Sequence, residues 1–115
     1  MRMKSGEYYI SCSEKDVGKY VRKVSGWIIR DDENKMDFGA RWVAHKMWEV
    51  TELSTGLLVS APYNRPADKA DIIPFIKRTR SAIVQLMEHW SSNEVYNDVK
   101  EMIRKAYEED KEIET

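Results

Sequence analysis

The chain has 115 residues, of which 42% are hydrophobic and 34% charged, with a net charge of −1. That size and composition predict one folded domain that needs neither disulfides nor a metal to hold its core, and they exclude a disordered chain. The near-zero net charge argues against a surface built throughout for nucleic acid, and the lone cysteine, Cys12, excludes an internal disulfide.

In chain order, Glu7–Cys12 (EYYISC) is a short β-prone run. Ser13 has the character of a helix N-cap, with Asp16 three residues on as a weak capping box. Val17, Tyr20, Val21 and Val24 follow at helical spacing, and Ser25-Gly26 stops that predicted helix. Gly26–Asp31 (GWIIRD) is a short β-branched strand, and Asp31–Gly39 (DDENKMDFG) a polar loop. Arg41–Glu52 predicts one long strand. Trp42, Ala44, Trp48 and Val50 lie on one parity, and Val43, His45 and Met47 on the other. Ser54-Thr55-Gly56 turns the chain into a return strand, Leu57–Ser60.

Asn64-Arg65-Pro66 opens the helical half, and Pro74 forces a kink or restart. From there Ile72, Phe75, Ile76, Thr79, Ile83, Leu86, Met87 and Trp90 form one apolar stripe. Ser91-Ser92-Asn93 interrupts it. Val95, Val99, Met102, Ile103 and Ala106 mark a last helix, with Tyr96 and Tyr107 beside its stripe and residues 107–115 as a fraying acidic tail. The expected order is (β)-α-β-β-β-α-α. This is an α+β domain with an antiparallel sheet of three strands, four if the first run joins, covered by helices.

Sites of chemistry are scarce. The acidic loop Asp31, Asp32, Glu33, Asp37 fails the calcium-loop spacing, because Met36 occupies the fifth position counted from Asp32. It reads as a solvated turn. His45 and Glu49 share a strand face but stand roughly 13 Å apart at strand rise. His89 falls at a helix end, and two histidines with one cysteine give no metal-ligand spacing. Cys12 precedes a predicted helix start, which lowers a thiol's pKa, but has no histidine nearby to act as its base. No cofactor and no metal are expected.

Two surfaces remain as candidates. Trp42 and Trp48 on the sheet, together with Tyr96 and Tyr107 on the last helix, are the expected contacts for a protein partner or a second copy of the chain. Arg30, Arg41, Lys46, Lys77 and Arg80 are the expected phosphate contacts if the sheet binds DNA or RNA, with the tryptophans stacking on bases.

The α-β-β-β-α order over residues 13–90 resembles the double-stranded-RNA-binding domain. That family holds phosphates with a basic cluster at the start of its last helix, where this chain has Ala67-Asp68-Lys69-Ala70-Asp71. The WEVTELSTGLLVS hairpin followed by a helix is similar to the arm-binding domain of phage integrases over residues 26–90, which implies DNA reading through the sheet. The residues themselves point first to a small non-enzymatic interaction protein. This is a regulator, adaptor or inhibitor of the type phages and mobile elements encode, without a membrane span or signal segment and therefore cytoplasmic. Nucleic-acid binding through the sheet is the alternative.

Overall fold

Two runs rich in β-branched and aromatic residues flank Lys15-Asp16-Val17-Gly18, and in the computed structural model of the protein they pair as one long hairpin. The structure describes residues 1–43, 47–60 and 65–114, with side chains as far as Asp110. Strand β1 spans Arg2–Glu14 and β2 spans Gly18–Asp31. Their antiparallel register is unbroken from Arg2↔Arg30 to Glu14↔Gly18. There follow β3 (Met36–Val43), β4 (Met47–Glu52), β5 (Leu57–Leu58), a 3-10 turn at Lys69–Asp71, α1 (Ile72–Trp90) and α2 (Glu94–Glu114). The strands lie in chain order in one antiparallel sheet. The α+β class holds, with five strands in place of three or four and two α-helices in place of three among the described residues.

The predicted helix from Ser13 is a hairpin turn and the first half of β2. Gly18 takes φ +82°, which glycine adopts at little cost and which closes the turn. Valine and tyrosine are weak helix formers, and a glycine inside the helix would cost about 1 kcal/mol more. Pairing 13 residues of β1 with β2 outweighs a four-residue helical stripe. Val17, the stripe's first member, is exposed at the turn. With that helix gone, the resemblance to the double-stranded-RNA-binding domain loses its element order, whereas the hairpin followed by a helix over residues 47–90 is kept.

Two further corrections concern the centre. The polar loop shrinks to a turn at Asp32–Lys35, and Met36 and Phe38 belong to β3 with their side chains in the core. Asp31 is buried rather than solvated. The single long strand from Arg41 is two strands, with Trp42 directly opposite Trp48 and the chain reversing between Val43 and Met47. Ala44, His45 and Lys46, and the predicted cap Asn64, lie outside the described residues. The restart at Pro74 is seen: α1 begins at Ile72 and holds the proline in its first turn, where a missing N–H costs nothing.

Ile29, Phe38, Ala40 and Val50 share one sheet face and meet Ile72, Phe75 and Ile76 from the first half of α1. The sheet curls until its first and last strands touch. The Ser11 N–H donates to the Gly56 carbonyl at 2.8 Å, and Ser11 Oγ to the Thr55 carbonyl at 2.6 Å. Helix α2 packs on the β1–β2 hairpin. The Tyr107 ring meets Tyr9 edge-on at 5.0 Å, and its hydroxyl accepts the Tyr9 N–H at 3.2 Å. Lys23 reaches Asp110 at 3.0 Å. That ion pair raises the lysine's pKa. A hydrogen bond to Tyr9, and then the one to Lys23, lower the aspartate's.

Tyr8 caps the curl. It is 1% exposed, its ring covers Gly39, and its hydroxyl has no hydrogen-bond partner among the described residues. A Cβ on Gly39 would stand 2.5 Å from the ring carbons, so glycine is what admits the tyrosine. Burial pushes the hydroxyl's pKa above its ordinary value. Stability tied to the neutral hydroxyl is therefore complete below pH ~10 and is lost as pH rises further. Tyr8→Phe is expected to raise stability by about 1 kcal/mol, since an orphaned buried donor is removed, and to flatten the alkaline loss. Urea unfolding at pH 7 and above pH 10 checks both. A Tyr8→Phe protein clearly less stable than wild type at pH 7 would show that the hydroxyl is bonded after all.

Candidate functional site

The four aromatic residues expected at a partner surface fall on two separate elements. Trp42 and Trp48 form an edge-to-face pair at 5.5 Å across β3 and β4, with Trp42 52% exposed and Trp48 half-buried against the core. Tyr96 is buried on α2, tilted against Trp90 at 5.9 Å. Burial, with the Glu52 charge as second cause, raises its pKa. Tyr107 is held by Tyr9 as described. Among the described residues no aromatic contact joins the two pairs.

The cations are also divided. Arg41 binds Glu49 at 3.2 Å across the strands, and Arg65 reaches the other oxygen of that carboxylate at 3.7 Å. Arg80 turns back to the buried Asp31 and to Glu33, both at 3.4 Å. Lys77 is exposed on α1. Arg30 is exposed and stands opposite Arg2 on one side and Asp37 on the other, without an ion pair to either. Two of the five expected phosphate contacts are thus engaged by carboxylates, and Lys46 lies outside the described residues. Cys12 sits half-buried in β1 opposite Tyr20, not at a helix start. Exposed His89 closes α1.

A different surface emerges from the mismatch between α1 and the sheet. At 1.5 Å per residue the 19 residues of α1 extend about 28 Å, and only Ile72, Phe75 and Ile76 of its stripe are fully buried. Strand β5 ends after two residues. The Val50 N–H then donates to Ser60 Oγ at 3.0 Å in place of a backbone carbonyl. The second half of the stripe, from Ile83 to Trp90, has no fully buried residue. Between β5, the second half of α1 and the start of α2 lies a groove of about 580 Å³, walled by Leu57, Leu58, Ile83, Leu86 and Trp90. Leu58 (45%), Leu86 (46%) and Trp90 (37%) are exposed there, and Val95 (53%) stands next to the groove's Tyr96. Among the described residues only Val17 and Trp42 are comparable exposed large hydrophobics elsewhere.

Glu52 lines this groove although it is 3% exposed. It ends β4 and organises the turn that closes the sheet. One carboxylate oxygen accepts the Ser54 N–H at 2.9 Å, and the other accepts the Thr55 N–H at 3.0 Å and the Thr55 hydroxyl at 2.7 Å. Gly56, at φ +67°, completes the turn. Among the described residues no lysine, arginine or histidine pairs with Glu52 within 4.0 Å.

Sequence reasoning placed Leu86 and Trp90 in the core stripe and did not single out Leu58 or Glu52. The available signal was the stripe's length: eight apolar-face positions from Ile72 to Trp90 outrun a return strand of four residues. No helix among the described residues is long and apolar enough to cross a membrane. No protein-family model matches the chain, and no curated protein or solved structure is significantly similar to it.

Proposed function

We propose that this domain is a protein-interaction module, acting as a regulator, adaptor or inhibitor, that seats an apolar segment of a partner protein in the groove between β5 and the second half of α1. The observation that carries this is the gathering of Leu58, Leu86 and Trp90, exposed and apolar, around one concavity. Isolated exposed hydrophobics are ordinary, whereas a contiguous apolar patch on a charged protein marks a contact surface. Thr79, Ile83, Leu86 and Trp90 follow a 4-3-4 spacing, the seam of a helix that packs against another helix.

Leu86→Asp is the direct test. Leu86 is nearly half exposed, so the charge should cost about 1–2 kcal/mol of folding stability and leave the domain folded. Placed in the contact, it should remove binding. Wild-type and Leu86→Asp baits, compared by affinity capture and by sedimentation equilibrium of each protein alone, are expected to differ in one component. This is either a captured protein or a second copy of the chain, held only by the wild type. Identical behaviour of the two baits, with both folded, would reject the groove as the docking surface.

A further inference from the structure

We infer that the groove recognises a partner segment whose apolar face carries one lysine or arginine, and that Glu52 is the residue that receives it. The inference rests on the docking reading above and adds the chemistry of the occupant. Glu52, 3% exposed, is the one charged side chain among the described residues in the wall of a mainly apolar groove. A carboxylate has about four acceptor positions, and the turn fills three of them with the Ser54 and Thr55 donors. Hydrogen bonds alone leave a buried negative charge without its countercharge, the condition under which an approaching cation gains most.

Among the described residues, two of the cations that share a cleft with Glu52 have other partners. Lys100 and Arg104 line the cleft on the other side of Glu52. Lys100 stands over the Tyr96 ring at 5.7 Å, and Arg104 is clasped by Glu101 and Glu108. On the groove side, among the described residues, the wall offers Ser11, Thr55 and Thr79 but no basic group. The side chain that complements this wall is long, apolar along its stem and cationic at its tip, as in lysine or arginine, which bury their stems while placing the charge at a polar point. Flanking apolar residues on the same helix face would meet Leu58, Leu86 and Trp90.

Three small probes of one shape separate the two readings: 4-phenylbutylammonium, 4-phenylbutanol and 4-phenylbutyrate, titrated into the intact protein and followed by the amide resonances of Leu86, Trp90 and Tyr96. The ammonium is expected to bind about tenfold more tightly than the alcohol, the scale of one charge-assisted hydrogen bond, and the carboxylate most weakly. Glu52→Gln should abolish the difference between ammonium and alcohol while both still bind. Leu86→Asp should weaken all three.

If none of the probes moves those resonances, the groove reading fails and this inference fails with it. If ammonium and alcohol bind wild type equally, the groove stands and the role of Glu52 is overturned. Should Glu52→Gln not fold, the order of the three probes on wild type decides alone.

Discussion

Gly26→Ala is expected to destabilise the protein by more than about 3 kcal/mol, while Gly6→Ala, its partner directly across the hairpin, costs about 1 kcal/mol. The two glycines face each other in the β1–β2 register. At Gly26, β2 parts from β3, whose last pair is Trp27↔Ala40, and the outer half of the hairpin folds over so that Tyr8 lands on Gly39. A Cβ on Gly26 would fall inside contact distance of the Ala40 carbonyl oxygen and 3.1 Å from the Arg41 Cβ. A backbone oxygen in a paired strand cannot swing aside, so the two strands must separate, and Tyr8 and Ser11 would be drawn away from Gly39 and Gly56. A Cβ on Gly6 meets only the Ile28 side chain, with Cδ1 at 2.8 Å and Cγ1 at 3.4 Å, a contact that a rotamer change relieves. Urea unfolding of the two variants measures the contrast. Equal small losses would mean that the bend at Gly26 is looser than the close approach to Ala40 requires.

How much of this was legible in the residues depends on whether the cue was local. The turn at Ser54-Thr55-Gly56, the apolar stripe of α1 and the break at Ser91-Ser92-Asn93 were each readable, because glycine, proline and 3.6-residue periodicity act within a few positions. The β1–β2 hairpin was not. Val17, Tyr20, Val21 and Val24 satisfy helical spacing, and the competing evidence was a β-rich run on each side of Asp16-Val17-Gly18, which counts only when pairing with the preceding strand, Tyr20 with Cys12 and Val24 with Tyr8, is admitted. The same limit applies to Asp31. In sequence it opens an acidic loop, whereas in the fold it is 2% exposed because Arg80, 49 residues later, reaches it. The groove was hidden for a related reason. Periodicity reports which residues share a helix face but not how much of that face is covered, and Leu86 and Trp90 are left exposed beside Leu58. Glu52 carried no cue as a site, since a glutamate before Ser-Thr-Gly reads as a turn residue, which it also is.

Arg80 shows what such a long-range contact is worth. Asp31 receives Arg80 Nη1 at 3.4 Å on each carboxylate oxygen, the Asn34 side-chain amide at 2.9 Å and the Asn34 N–H at 3.4 Å. The guanidinium is also mostly enclosed, its side chain 24% exposed. Arg80→Met keeps the stem and removes the charge, leaving the carboxylate enclosed with only Asn34 to answer it. The expected loss is about 3–5 kcal/mol, the range for breaking one side of a buried ion pair. The second arm of Arg80 reaches Glu33, which is exposed, so Glu33→Ala should cost no more than about 1 kcal/mol. The loss therefore belongs to the stranded aspartate and not to the count of ion pairs. Adding Asp31→Leu to Arg80→Met should then recover much of the stability, because an apolar pair of similar volume removes the uncompensated charge. The double-mutant cycle by urea unfolding decides it. If the Arg80→Met loss stays under about 1 kcal/mol, or if Asp31→Leu deepens it, Asp31 is solvated in solution and the first turn after β2 is the open loop its sequence suggests.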